Sequence, residues 1–198
     1  MDLLPALKER LGDAAGRDLP PHPHRRAAVL VPIFVQDGEP HLLLTKRTQA
    51  VEHHKGQISF PGGGEEPGDA DLLATALRET HEELGLDPET VEVWGRLDEL
   101  ETVVSGFAIT PYVGFIRRLG TLRANPNEID EIVAAPLAMF LDPARMRAEH
   151  VVHDGRPREL LYYDCGPHVV WGATARIIHG MVRLLALDRP APGRPTGR

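Results

Sequence analysis

The sequence predicts a layered α/β (α+β) domain, and three observations carry that expectation. Strand-like and helix-like segments are mixed along the chain, two turn signals mark hairpins, and two stretches have the apolar spacing of long amphipathic helices. Leu3, Leu4, Leu7 and Leu11 recur at helical spacing, which predicts a helix over 2–15 with Pro5 in its tolerant first turn. "GRDLPPHPHRR" reads as an extended linker. "AAVLVPIFV" (27–35) and "HLLLTKR" (41–47) are strands flanking the turn "QDGEP". "GQISF" is a short extended piece that runs into a loop, "PGGGEEPG".

The helix that follows has Asp69 as its expected cap. Leu73, Leu77, Thr80 and Leu84 are its core face, and Gly85 is its stop. "TVEVWGRL" and "ITPYVGFIRR" read as strands around a polar loop at Ser105-Gly106, and "EIVAAPL" as another strand. "HVVHDGRPRELLYY" is a hairpin about Asp154-Gly155, and residues 172–187 form the second long helix. The expected organisation is an N-terminal helix and linker over 1–26, one domain over 27–187 and a disordered tail over 188–198.

Composition narrows the function classes. The chain has 198 residues, 42% apolar and 26% charged, with a net charge of -7, which argues against a general nucleic-acid binder. The single cysteine, Cys165, forbids an internal disulfide and fits a reducing compartment. No secretory signal or membrane-length apolar run is visible, so a cytoplasmic protein with no membrane partner is expected.

Glu79, Glu82 and Glu83 lie on one helical segment, at i, i+3 and i+4. They fall in a sector away from the expected apolar face. Like charges one turn apart cost only about 0.2–0.5 kcal/mol per pair, but they add nothing to stability unless a cation joins them. Hard divalent ions such as Mg²⁺ take oxygen-rich sites of this kind, usually together with a substrate phosphate. A solvated acidic face is the plainer alternative. The glycine-rich loop at Gly62-Gly63-Gly64, where backbone approaches a ligand closely, favours the ion.

"G-x13-R-E-T-x-E-E-x-G-L", Gly64 to Leu86, resembles the Nudix box, G-x5-E-x7-R-E-U-x-E-E-x-G-U, in which U is a bulky aliphatic residue. The resemblance implies an α/β/α sandwich with a mixed β-sheet between helices, and hydrolysis of a nucleoside diphosphate linked to another group. It implies Glu79, Glu82 and Glu83 as ligands of Mg²⁺ or Mn²⁺, with the backbone at Gly63 approaching the ion and Arg78 orienting a glutamate. Two positions depart from the pattern. Thr80 replaces the aliphatic residue, and Ala70 stands where the first glutamate belongs, between Asp69 and Asp71.

"LLTKRTQAVEHHKGQISFPGG", Leu43 to Gly63, is a basic island carrying Lys46, Arg47, Lys55, His53 and His54 against the single acid Glu52. It suits several phosphates, with a solvated loop as the alternative. It also resembles the coenzyme A pyrophosphatase signature L-L-T-x-R-[SA]-x3-R-x3-G-x3-F-P-G-G, with Thr48 in the Ser/Ala position and Glu52 in the second Arg position. That resemblance implies cleavage of coenzyme A to 3′,5′-ADP and 4′-phosphopantetheine. Lys46, Arg47, Lys55 and Phe60 are the expected substrate contacts.

The general base is expected at Glu128, presented by the turn Asn125-Pro126-Asn127. Cys165 with His168 is read as structural rather than as a nucleophile pair, and His22 and His24 as exposed linker residues. The alternatives are a Nudix enzyme for ADP-ribose or NADH-type dinucleotides, and a nucleotide-binding module without turnover.

Overall fold

The computed structural model describes residues 3–13, 16–48, 56–102, 106–153 and 155–186. Its main sheet is mixed. Strands β1 (Arg25–Gln36) and β2 (Glu39–Arg47) form the expected hairpin, joined by Asp37 and Gly38 at φ 52° and 82°. Positive φ at both loop positions matches the twist of the flanking strands, and it is why a glycine follows the aspartate there. β2 then pairs with β3 (Ile58–Ser59) on one side and β8 (Ile129–Pro136) on the other.

The three glycines expected in a loop instead form β4 (Gly62–Gly64), antiparallel to Ala27–Val29 of β1. On its other edge β1 runs parallel to β7 (Phe107–Ile116), which is flanked by β5 (Val91–Arg96) and β6 (Leu100–Glu101). A parallel pair needs a long crossover, and α2 (Leu72–Leu84) lies within it.

Alternation along the strands sends side chains to two cores. Ala28, Leu30, Phe34 and Leu43 meet Leu72, Ala76 and Leu84 of α2. Val31, Ile33, Leu42 and Leu44 face the other way. There they join Leu7 and Leu11 of α1 (Leu3–Asp13), Phe140 of α3 (Leu137–Leu141) and Ile178 of α4 (Gly172–Ala186). The result is the expected α/β/α sandwich. Thr80 and Leu84 of the expected face are buried and Leu77 packs, partly buried, against the same core as Leu84, while Leu72 and Ala76 take the place of the half-buried Leu73 in the stripe that meets β1. The N-terminal helix shares its core with the domain.

A second sheet, β9 (Met146–His153), β10 (Arg156–Cys165) and β11 (His168–Trp171), is antiparallel and adds Leu161, Tyr163 and Val170 to that core. Cys165 is buried among them. Ser105, Asp154 and the 188–198 tail lie outside the described residues. Among those described, no helix is long and apolar enough to cross a membrane.

Candidate functional site

The N-cap of α2 is Asp71, whose Oδ1 accepts from the Ala74 amide at 2.8 Å. Asp69, expected to fill that role, is displaced from it and does something else. Its Oδ2 accepts from the Glu66 amide and the Thr75 hydroxyl at 2.9 and 2.8 Å. Its two oxygens also take the Arg78 guanidinium as a fork, from Nε at 2.9 Å and Nη2 at 3.0 Å. Two parallel charge-assisted bonds of this kind are strong and fix orientation. The pairing holds the Asp69 carboxyl well below the usual carboxylate range and raises the Arg78 pKa further still.

The remaining donors of Arg78 go to Gly64 O at 3.1 Å, Glu79 Oε1 at 3.0 Å and Glu82 Oε2 at 3.3 Å. All five guanidinium N–H groups are thereby used. Arg78 ties the glycine strand, the start of α2 and the carboxylates into one unit. Asp69 is the residue that sequence reasoning missed in this network. The signal was present, since an acid sits immediately before the Ala70 gap.

The three glutamates of α2 are not equivalent. The Glu83 side chain is 3% exposed and that of Glu82 is 55% exposed, with Glu79 nearer the buried end. Burial is the main cause that raises both Glu79 and Glu83; for Glu83 the pKa is pushed up to about 8. Glu79 is raised further by Glu82 and Glu128, and Glu83 by Glu79 and Glu128, while Arg47 pulls Glu83 back from 3.6 Å. Glu83 Oε2 and Arg47 Nε are both buried without a hydrogen-bond partner. A buried polar atom left unpaired costs about 1–3 kcal/mol, and these two belong to facing side chains, with Arg47 Nη1 3.6 Å from Glu83 Oε1.

Glu128 is brought here by the backbone. The Asn125 amide donates to Glu83 O and the Arg123 amide to Leu84 O, both at 2.8 Å, fastening the loop to the last turn of α2. The Glu128 and Ile129 amides then close the expected turn onto Asn125 O. Asn125 Nδ2 donates to Glu128 Oε1 at 3.1 Å. Gly63 lies against the same cluster, and a Cβ there would stand 2.4 Å from Glu79 Oε1.

The other expected contacts divide. Arg47 belongs to the cluster. Lys46 points to the acids of β8 instead, 3.1 Å from Asp130 and 3.7 Å from Glu131. Phe60 is corrected outright: just past the end of β3, its ring is 3% exposed and packed in the main core beside Ile58, so it presents no surface to a substrate. Lys55, with Glu52, His53 and His54, lies outside the described residues. His22 and His24 are not free linker residues, since their rings lie 3.9 and 3.6 Å from Glu99 and Glu101.

A family model described as NUDIX domain matches residues 23–155. The chain is 37% identical over 171 residues to a protein of Photorhabdus laumondii named "Uncharacterized Nudix hydrolase NudL", spanning 83% of this chain and 90% of that one. A protein of the same name from Escherichia coli strain SMS-3-5 is 39% identical over 165 residues, 83% of each chain. Among solved structures, a MutT/nudix family protein from Enterococcus faecalis superposes with a TM-score of 0.53 over 85% of this chain and 62% of that chain. At 15% identity, that likeness speaks for the fold alone.

Proposed function

The chain belongs to the Nudix hydrolase family, and from that premise we propose that it cleaves the pyrophosphate of coenzyme A or its derivatives to 3′,5′-ADP and 4′-phosphopantetheine. One observation carries the reading. The charges of Glu79 and Glu128 act on Glu83, whose Oε2 is buried without a partner, and Arg47 of the coenzyme A-type signature lies 3.6 Å from its other oxygen.

The residues fit a divalent cation. The donors are hard carboxylate oxygens, one of them orphaned, and the missing Cβ of Gly63 leaves the backbone close to Glu79. Among the described residues no three acidic, imidazole or thiol groups are already gathered into a ready-made site. Arg78 and Arg47 occupy the carboxylates instead. Glu79, Glu82, Glu83 and the Gly63 backbone are assigned to hold Mg²⁺ or Mn²⁺. Bound there, the ion supplies a Lewis acid that lowers the pKa of water and offsets phosphate charge.

The chain supplies the rest. Glu128, oriented by Asn125, takes a proton from the attacking water, a role that typically contributes about 10²–10⁴-fold. The water oxygen bonds to one phosphorus, and the bond from that phosphorus to the bridging oxygen breaks. The leaving phosphate keeps the electron pair. Arg47 offers its unused Nε–H to a phosphate oxygen. Arg78 touches no substrate and acts by holding Glu79.

The test is product analysis by mass spectrometry after incubation with coenzyme A, ADP-ribose and NADH separately, with Mg²⁺ or Mn²⁺ and with EDTA. Metal-dependent release of 3′,5′-ADP and 4′-phosphopantetheine is expected. Turnover of ADP-ribose or NADH without coenzyme A would sink the substrate assignment and leave the hydrolytic cluster standing. No turnover at all would favour a binding module.

A further inference from the structure

Beside the carboxylate cluster lies a cavity of about 450 Å³, lined by Arg25, Arg26, Gly64, Glu65, Glu66, Glu79 and Phe107. That volume falls in the range of small-molecule sites. Its wall is built by strand register, because Arg25 pairs with Phe107 across the parallel β1–β7 ladder and its amide donates to Gly106 O at 3.1 Å. The Arg25 guanidinium carbon stands 4.2 Å from the centre of the Phe107 ring. Phe107 in turn rests against the glycine strand, 3.7 Å from where a Gly64 Cβ would stand.

Charge tells what the wall is for. Arg26 is already held by Glu65 at 3.2 Å. Among the described residues Arg25 has no carboxylate partner, although the chain carries a net charge of -7. The Phe107 ring covers one face of its guanidinium and leaves the in-plane N–H groups to a ligand. A planar fork of donors presented edge-on matches a phosphate bidentately.

Resting on the assignment of Glu79 and Glu83 to the pyrophosphate, we propose that this cavity receives a second phosphate of the same substrate. That group is a phosphomonoester on the ribose of the nucleoside arm, and Arg25 is its receptor. Glu79 marks the end of the cavity where hydrolysis occurs and Arg25 the end where the phosphomonoester is recognised. Arg25 and Phe107 lie outside both sequence signatures and set specificity rather than turnover.

The experiment measures binding apart from catalysis. Adenosine 3′,5′-bisphosphate and AMP are titrated calorimetrically with Mg²⁺ into the wild-type chain and into Arg25→Gln. The wild type should prefer the bisphosphate. Arg25→Gln should lose about 10- to 100-fold in affinity for it, as expected for charge-assisted hydrogen bonds, while AMP binding on the same variant is unchanged and reports intact folding. An equal loss for both ligands, or none for either, overturns the proposal.

Turnover of coenzyme A against 3′-dephospho-coenzyme A, and of NADPH against NADH, separates this proposal from the substrate reading. Coenzyme A cleaved with indifference to the 3′-phosphate overturns the Arg25 site and leaves that reading intact. A bisphosphate preference that depends on Arg25 without coenzyme A turnover does the reverse.

Discussion

Gly63→Ala separates chemistry from folding. A Cβ at this position stands 2.4 Å from Glu79 Oε1, 2.5 Å from Cδ and 2.7 Å from Oε2, where ordinary contacts begin near 3.4 Å. The backbone itself tolerates alanine, since φ at Gly63 is not positive. The flexible end of Glu79 therefore yields, retreating by about 1 Å and pulling on its 3.0 Å bond from Arg78. A displacement of that size in a catalytic group costs about 10²-fold in rate, equivalent to about 2.7 kcal/mol of transition-state stabilisation. The neighbouring Gly62→Ala is the contrast. Its Cβ would meet Ala28 O at 2.3 Å and Val29 Cα at 2.6 Å, with φ at +150°, so rigid backbone must move and the fold pays several kcal/mol. Steady-state hydrolysis and thermal melting by circular dichroism on both variants decide the matter. Gly63→Ala should melt near the wild type and turn over about 100-fold more slowly. Wild-type kcat in Gly63→Ala would refute the placement of Glu79 at the reacting centre, and a melting loss equal to that of Gly62→Ala would make the effect structural.

Other expectations follow from the same network. Asp69→Asn should lower kcat by about 10- to 100-fold, as loss of an orienting partner does, with a smaller change in KM. Its effect on stability should depend on pH. The folded carboxyl titrates below its ordinary value of 3.8, so its stabilisation is complete above that pH and fades as pH falls towards the folded value. The melting gap between wild type and Asp69→Asn should be constant from pH 5 to 8 and close below about pH 4; a gap that widens in acid contradicts the pairing. Phe60→Ala should destabilise by about 3–5 kcal/mol, while Phe60→Leu keeps the wild-type KM. Substrate contact by the ring would show as a raised KM in Phe60→Leu. Lys46→Ala should leave kcat/KM within about 3-fold of wild type, because Asp130 and Glu131 hold its ammonium, whereas Arg47→Ala should lose 10-fold or more. Equal losses in the two would contradict the geometry.

What was legible in the chain was local. The Asp37-Gly38 hairpin, the length of α2 and the spacing of Arg78, Glu79 and Glu83 follow from periodicity and turn chemistry, which act over a few residues. Asp69 and Asp71 show where that reach ends. Either suits a helix cap by type, and the choice fell to Asp71 because Asp69 found Arg78 nine residues away across the turn. Phe60 misled for a related reason, since the two-residue link between β3 and β4 carries no periodicity to show that its ring turns into the core. The glycines of β4 read as a loop by propensity, yet an available edge on β1 made them a strand. Arg25 and Phe107 were invisible together, because only the parallel β1–β7 register joins residues so far apart in sequence.

The backbone bonds that fasten residues 123–125 to the end of α2 bear on how such a protein changes over time. They use main-chain atoms, which no point substitution other than proline removes, so the spacing between Glu83 and Glu128 is insulated from drift in the side chains around it. The Arg25–Phe107 wall takes its register from the β1–β7 ladder, but its stacked guanidinium and ring depend on side-chain identity and have no such protection. Under the proposed roles, a lineage carrying this scaffold can exchange the substrate arm it recognises by a few substitutions at the strand ends while the Glu83–Glu128 spacing is kept.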